Sequence, residues 1–467
     1  MDSMLIENGT VYLSSGKVEA DILIRDGKIW KIGHLDSEDV DTRLDATGKI
    51  VIPGLIDGHT HMDFPFMSEV TADDFYYGTT AAVAGGVTTI IDFITPSRNE
   101  KLLAAYSRWR DKADSKVVSD FGLHCIVRDA SSETLSDVPK LIEEGVTSFK
   151  LFLAYKNEFM MDDASLFRTI KRVSENGGTI AIHAENGSLV EELTNELLER
   201  GKTGPVNHYF SRPESLEIEA TNRIAVIASL VGKNVRLYIV HTSTKEAVET
   251  MRGYRENGYT FYNETTPNYL TYDYKILEKA KGHRYIMSPP FRREEEVEGL
   301  WNHLRLNNIF TVGSDHCAYS DDQKMRHGKV LPPFNEIPNG TPGTETILPL
   351  LFTNGVKNGR ITIEQLVSIT SKNPSILFGL EDKKGDIKPG LDADLVIIDP
   401  KREKTVTPEV LHSNINYTIL EGTKLVGWPT VTILRGEVVY ENDELKTKKG
   451  SGKYLKRASI SDTTKHR

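Results

Sequence analysis

The sequence predicts an α/β fold: a parallel barrel of strand–helix units, with a smaller sheet domain assembled from both ends of the chain. Three observations lead there. At 467 residues the chain exceeds one ordinary domain but suits a large barrel plus a satellite. Its middle alternates short apolar runs with helical stretches over roughly 300 residues, the pattern of a parallel sheet, and eight or so such units favour a closed barrel. Both ends read as β instead.

Taken in order, Ala20 to Arg25 alternates loosely, Asp26-Gly27 offers a hairpin turn, and Lys28 to Ile32 alternates again. A capping box at Thr71-Ala72-Asp73-Asp74 is expected to start a helix that Gly85-Gly86 ends. The apolar runs of the middle are Val87 to Phe93, Phe121 to Val127, Ser148 to Leu153, Ile180 to His183, Leu237 to His241, Phe261 to Glu264, Tyr285 to Ser288 and Phe310 to Gly313. Helical patterns such as Asp163 to Asn176 and Pro213 to Val231 lie between several of them. Near the end, Ala393 to Asp399 and Thr430 to Leu434 are strand-like, and Arg435-Gly436 turns the chain into Glu437 to Tyr440. The expected divisions are 1–53 and 385–445 for the sheet domain, 54–384 for the barrel, and 446–467 for a basic tail. That tail reads either as a mobile solvated arm or as an arm that contacts a neighbouring subunit.

Composition narrows the class. With 39% apolar and 27% charged residues the chain is an ordinary globular protein. A net charge of −10 argues against nucleic-acid binding, which depends on Lys and Arg to displace counterions. No run approaches the roughly 20 apolar residues that span a bilayer. The start, Met1-Asp2-Ser3, carries no secretory pattern, and the two cysteines, Cys125 and Cys317, make no disulfide framework; a cytoplasmic enzyme is the expectation.

Chemistry concentrates at the ends of the apolar runs. Asp57-Gly58-His59-Thr60-His61 follows Ile52 to Ile56, and in an extended segment residues two apart point the same way, so both imidazoles can reach one ion. His183, His241 and Asp315 each stand where an apolar run gives out, the position from which barrel enzymes build their sites. Lys150 interrupts the otherwise apolar Phe149 to Leu153. Either it pairs with a carboxylate or faces solvent, or burial lowers its pKa and frees an amine that adds carbon dioxide. The resulting carbamate is an anion able to bridge two cations.

The order His59-x-His61, Lys150, His183, His241, Asp315 resembles the cyclic amidohydrolases, specifically the dihydropyrimidinase and hydantoinase family. The likeness spans nearly the whole chain: Pro53 to His61, Phe149 to Asn157, Gly313 to Cys317, Pro338-Asn339-Gly340 with Gly343 and Glu345, and Gly385 to Gly390. It implies a (β/α)8 TIM-like barrel with a small β-sandwich domain. It implies two divalent ions, zinc first among the candidates, with His59, His61, carboxylated Lys150 and Asp315 on one, and Lys150, His183 and His241 on the other. A hydroxide bridging those ions would open a cyclic amide, with Asp315 as acid and base and Tyr155 stabilising the oxyanion. Ser288 and Asn339 join the implied substrate contacts, and a homotetramer is the implied assembly.

Substrate class follows from an absence. Dihydroorotases and allantoinases usually carry an Arg soon after the His pair; here Met62-Asp63-Phe64-Pro65-Phe66 follows, with no Arg until Arg98. Met62, Phe64, Phe66, Phe152 and Phe159 either line an apolar pocket for neutral rings such as dihydropyrimidines and hydantoins or fill the core. Allantoinase and a non-catalytic scaffold homologue are the alternatives.

Overall fold

The computed structural model describes residues 3–35 and 38–459. Eight parallel strands lie side by side in chain order: β1 (Leu55–Thr60), β2 (Val87–Ile94), β3 (Asp120–Ile126), β4 (Ser148–Phe152), β5 (Thr179–His183), β6 (Arg236–Ile239), β7 (Thr260–Thr265) and β8 (Thr311–Val312). A bridge between Thr60 and His316 brings the last strand back to the first, and His61 N–H donates to the His316 carbonyl at 2.8 Å. Every residue of β1 to β5 is buried, which is why these strands read as apolar runs rather than as alternation. The barrel expected from the sequence is therefore present.

Two local expectations fail. Tyr285 to Ser288 is not a strand: Gly282–Tyr285 forms a 3-10 turn and the chain continues as loop. Its apolar residues are buried under neighbouring loops, where the Lys324 ammonium takes the Ile286 carbonyl at 2.9 Å. The capping box is also misplaced. The helix α1 (Phe75–Ala84) is capped by Asp74, which accepts from Tyr76 N and Tyr77 N, while the Thr71 hydroxyl serves the loop by accepting from Phe64 N. Gly85 does end α1.

Both chain ends build the β-sandwich. One sheet holds Ser3–Glu7, Asp21–Arg25, Lys28–Gly33 and Thr42–Asp45; the other joins Thr10–Leu13, Gly16–Glu19 and Ile50–Pro53 edge to edge with four strands from 395–445. Ile50–Pro53 pairs antiparallel with Leu395–Ile398, so the two ends are stitched by backbone hydrogen bonds. Ile6, Ile22, Ile24, Val51, Leu395, Ile397 and Ile433 fill the space between the sheets. Asp21–Arg25 alternates poorly because four of its five residues are buried. Asp26 (φ 51°) and Gly27 (φ 75°) make the expected hairpin turn.

As far as it is described, the tail is not a free solvated arm. It docks on its own barrel: Phe121 N–H donates to Lys453 O, Leu455 N–H to Phe121 O, and Ala458 N–H to Gly379 O. Residues 460–467 lie outside the described residues. Among the described residues no helix is long and apolar enough to cross a membrane.

Candidate metal and catalytic site

The strand ends deliver the expected side chains to one mouth of the barrel. His59 sits in β1, His61 just past it, Lys150 in β4 and His183 at the end of β5; His241 and Asp315 follow β6 and β8. Tyr155, His241 and Asp315 all have left-handed backbones, with φ of 61°, 39° and 50°. Non-glycine residues hold that conformation only where surrounding structure enforces it, and such strain collects at functional sites.

His59, His61 and Asp315 form one group. Asp315 Oδ1 lies 3.2 Å from His59 Nε2 and 3.2 Å from His61 Nε2. Burial alone would raise the Asp315 carboxyl, but the flanking His59 and His61 bring it below its ordinary value. Burial keeps both imidazoles neutral by lowering their pKa, with nearby Lys150 adding to the effect. Glu264 stands behind them: its Oε1 accepts from His59 Nδ1 at 2.7 Å and from His241 N at 3.0 Å, and its Oε2 accepts from Tyr238 OH at 2.5 Å. With Nδ1 donating to Glu264, Nε2 of His59 is left with its lone pair facing Asp315 Oδ1.

His183 and His241 form the second group. His183 Nε2 meets Glu185 Oε2 at 2.7 Å, which turns its Nδ1 toward His241 Nε2, 3.0 Å away. Burial would raise the Glu185 carboxyl, yet Arg212 and His183 hold it well below the usual carboxylate range. Between the groups lies Lys150, 1% exposed, its ammonium about 5 Å from the rings of Phe93 and Phe152. Burial pulls its pKa down to about 7, against the opposing pull of Asp315 and Glu264. Of the two sequence readings, a solvent-facing lysine is excluded by this burial.

The donor set fits divalent cations. Zinc–nitrogen bonds of about 2.0–2.1 Å in tetrahedral geometry place two ligand atoms roughly 3.3 Å apart. The 3.2, 3.2 and 3.0 Å separations here match that spacing. Buried nitrogens without a hydrogen-bond partner, His59 Nε2, His61 Nδ1 and His241 Nδ1, belong to the same rings. His59, His61 and Asp315 also satisfy the geometry of a metal-holding triad by themselves.

Beside these groups opens a cavity lined by His61, Phe64, Phe66, Lys150, Phe152, Tyr155, Phe159, His183, His241, Ser288, Asp315, Cys317 and Asn339, with Gly340. Tyr155, Ser288 and Asn339 come together on the cavity wall, and Asn339 Nδ2 donates to Ser288 Oγ at 3.1 Å. Burial pushes the Tyr155 phenol up to about 12, so it stays a donor at neutral pH.

Met62 is a correction. Fully buried, it points away from the cavity and against Gly78 of α1, where a Cβ would lie 2.4 Å from its sulfur. Alternation along the chain explains this, since His61 takes the cavity side. Asp63 likewise faces elsewhere, paired with Lys116 at 3.3 Å. His316, adjacent to Asp315, is committed on both nitrogens, to Asp73 at 2.8 Å and to Gly343 N–H at 3.2 Å. Glu264, Glu185 and Arg212 escaped the sequence reading. Glu264 could have been found, for it closes the run Phe261 to Glu264 at a strand end as the others do; Arg212 carried no such signal.

Comparison with known proteins gives the family. The model of the amidohydrolase family matches residues 50–439. A D-hydantoinase of Geobacillus stearothermophilus is 44% identical over 457 residues, covering 97% of this chain and 96% of that protein. A dihydropyrimidinase of Rattus norvegicus is 38% identical over 471 residues, covering 99% and 90%. The crystal structure of a dihydropyrimidinase from Brevibacillus agri superposes with a TM-score of 0.95 at 39% identity, covering 98% of this chain and 99% of that one.

Proposed function

Because the chain belongs to the amidohydrolase family, and within it to the branch of D-hydantoinases and dihydropyrimidinases, we propose that it opens neutral cyclic amides by hydrolysis, converting 5,6-dihydropyrimidines or hydantoins into N-carbamoyl amino acids. The observation that carries this reading is the convergence of two imidazole groups, Asp315 and a buried lysine beside an aromatic cavity.

His59, His61 and Asp315 would hold one divalent cation, His183 and His241 a second, and Lys150 both. Zinc suits a set dominated by imidazole. When bound, such a pair supplies Lewis acidity that lowers the pKa of a water and polarises the ring carbonyl. Lys150 reaches its bridging form by adding carbon dioxide through its neutral amine: an N–C bond forms, one proton leaves and an anionic carbamate remains. Its burial and its lowered pKa favour the neutral amine that this step needs.

In the reaction, water adds to the ring carbonyl carbon and the C–N bond breaks. Asp315, ionised at neutral pH, accepts the proton from water and passes it to the departing nitrogen. Tyr155 donates its phenol hydrogen to the carbonyl oxygen as negative charge grows there. Ser288 and Asn339, beside that phenol on the cavity wall, meet the ring's own amide edge, while Phe64, Phe66, Phe152 and Phe159 exclude water around the ring substituent.

A neutral substrate is supported by the arginine that does approach. Arg212 lies 5.8 Å from the Tyr155 ring, but its guanidinium is paired with Glu185 at 2.8 Å and does not line the cavity. Dihydroorotase-like and allantoinase-like activities are accordingly disfavoured. We also infer a homotetramer. Steady-state assays on dihydrouracil, hydantoin, allantoin and dihydroorotate, run beside metal analysis, test the proposal. Turnover of the first two with about two ions per chain is expected; preference for dihydroorotate or allantoin would overturn it.

A further inference from the structure

The C-terminal segment does more than cover the barrel floor. Gly452 N–H donates to Val117 O, Tyr454 bridges Phe121, and Leu455 enters a cluster with Ile91, Ala181, Tyr238, Phe378 and Leu380 inside the barrel. Two residues on, Arg457 is 3% exposed. Its guanidinium donates to Ser148 Oγ at 2.9 Å and to the Leu123 carbonyl, and it forms no ion pair among the described residues. Gly122 leaves room for it, since a Cβ there would lie 3.2 Å from Nε.

From Arg457 a directional relay runs to the metal-binding strand. His124 Nε2 lies 2.9 Å from the Gly58 carbonyl, which only accepts, so this nitrogen carries the proton. His124 Nδ1 is therefore an acceptor and takes the Ser148 hydroxyl hydrogen at 2.6 Å. The Ser148 oxygen in turn accepts from Arg457. Each partner has one role, and every member is buried.

Gly58 is the residue where this matters. Ile90 of β2 pairs with Asp57 and Asp92 pairs with Thr60, so two steps on β2 oppose three on β1. That irregularity is a bulge at Gly58-His59, whose extra residue is left outside the ladder. Inside the barrel the Gly58 carbonyl is held by His124, and a Cβ at Gly58 would collide with Phe378 at 2.4 Å. His124 also stacks on Phe93 at 4.5 Å, and Phe93 stacks on His61 at 4.8 Å. A buried guanidinium facing only neutral acceptors is a costly plug where an apolar side chain would serve. Its cost is understandable if it orders something.

We propose that Arg457 is a positioning residue of the catalytic centre, acting from the opposite end of the barrel through Ser148 and His124 to fix the bulge that aims His59. The proposal rests on the reading of His59 and His61 as metal ligands. Loss of the relay lets the Gly58 carbonyl relax toward the β2 ladder and turns His59 off its aim.

The test uses full-length enzyme carrying Arg457→Met, Arg457→Lys, Ser148→Ala, or Arg457→Met with Ser148→Ala. Each apoprotein is titrated with Zn2+ against a chromophoric chelator, and kcat and KM are measured on dihydrouracil and hydantoin well below the melting midpoint. Arg457→Met and Ser148→Ala should each weaken Zn2+ binding about tenfold and lower kcat with KM little changed. Arg457→Lys should recover part of the loss. The double variant should be no worse than the worse single one, because both changes break one relay. A lower midpoint with unchanged Zn2+ affinity and kcat in Arg457→Met, or independent multiplying losses in the double variant, would overturn the proposal. Should Arg457→Met fail to fold, Ser148→Ala decides alone, unchanged affinity and kcat overturning it. Wild-type protein that takes up no Zn2+ and opens no ring would overturn the site reading and this proposal with it.

Discussion

Lys150→Arg keeps a cation in β4 but cannot release its proton, so it cannot become a carbamate. Metal content and turnover should both collapse in that variant, and Lys150→Ala should behave alike, with a small carboxylic acid restoring some rate. Metal analysis on purified protein checks this; two ions and full rate in the Arg variant would end the bridging role. Asp315 separates binding from chemistry. Asp315→Asn keeps size and an oxygen donor but cannot shuttle a proton, so it should retain the ion at His183 and His241 while kcat falls about 10²–10⁴-fold. Near-normal turnover would require another proton carrier, and His316 is unsuited, with both ring nitrogens already engaged.

At the scale of elements, the short helix Asn207–Phe210 fastens the loop that carries Ser288. His208 Nε2 donates to the Met287 carbonyl at 2.9 Å and to Ser288 Oγ at 3.1 Å. Burial, then nearby Arg212, lowers its pKa to about 3, against an ordinary 6.5 in the unfolded chain. Between those values the unfolded state binds more protons, so stability rises with pH and acid erodes it. From pH 6.5 to pH 4 the loss from this group is about 3 kcal/mol. His208→Gln keeps a donor but does not titrate. Its melting midpoint should fall less steeply over that window, and parallel curves for the two proteins would remove His208 as the cause.

For the whole molecule, the tail now divides in two. Residues 450–459 are part of the barrel floor, so deleting everything from 450 should cost stability and metal together. Deleting only 460–467, which lie outside the described residues, isolates assembly. Light scattering should still give about four times the 52.3 kDa chain mass if subunit contacts lie elsewhere. Dissociation on that short deletion would assign the last residues to a neighbouring subunit.

Much of this was readable from the sequence because its signals are local. Parallel strands buried on both faces must be apolar, so β2 to β5 announce themselves, and Asp26-Gly27 and Arg435-Gly436 mark turns by their tolerance of positive φ. Metal-competent side chains at the ends of such runs identified His59, His61, Lys150, His183, His241 and Asp315 as candidates. Apolarity alone misled at Tyr285 to Ser288, since a loop buried beneath others is as apolar as a strand. Proximity in space needed the tertiary structure. Glu264 behind both His59 and His241, Arg212 neutralised by Glu185, Met62 turned into the core and Arg457 beneath the bulge at Gly58 are separated along the chain by tens to hundreds of residues. The sequence alone determined most of the barrel strands and the side chains that stand at their ends, because periodicity and turn chemistry act over a few residues. Only barrel closure decided which of those ends meet and which buried groups support them, because those partnerships depend on strand register and on a bulge that no local pattern records.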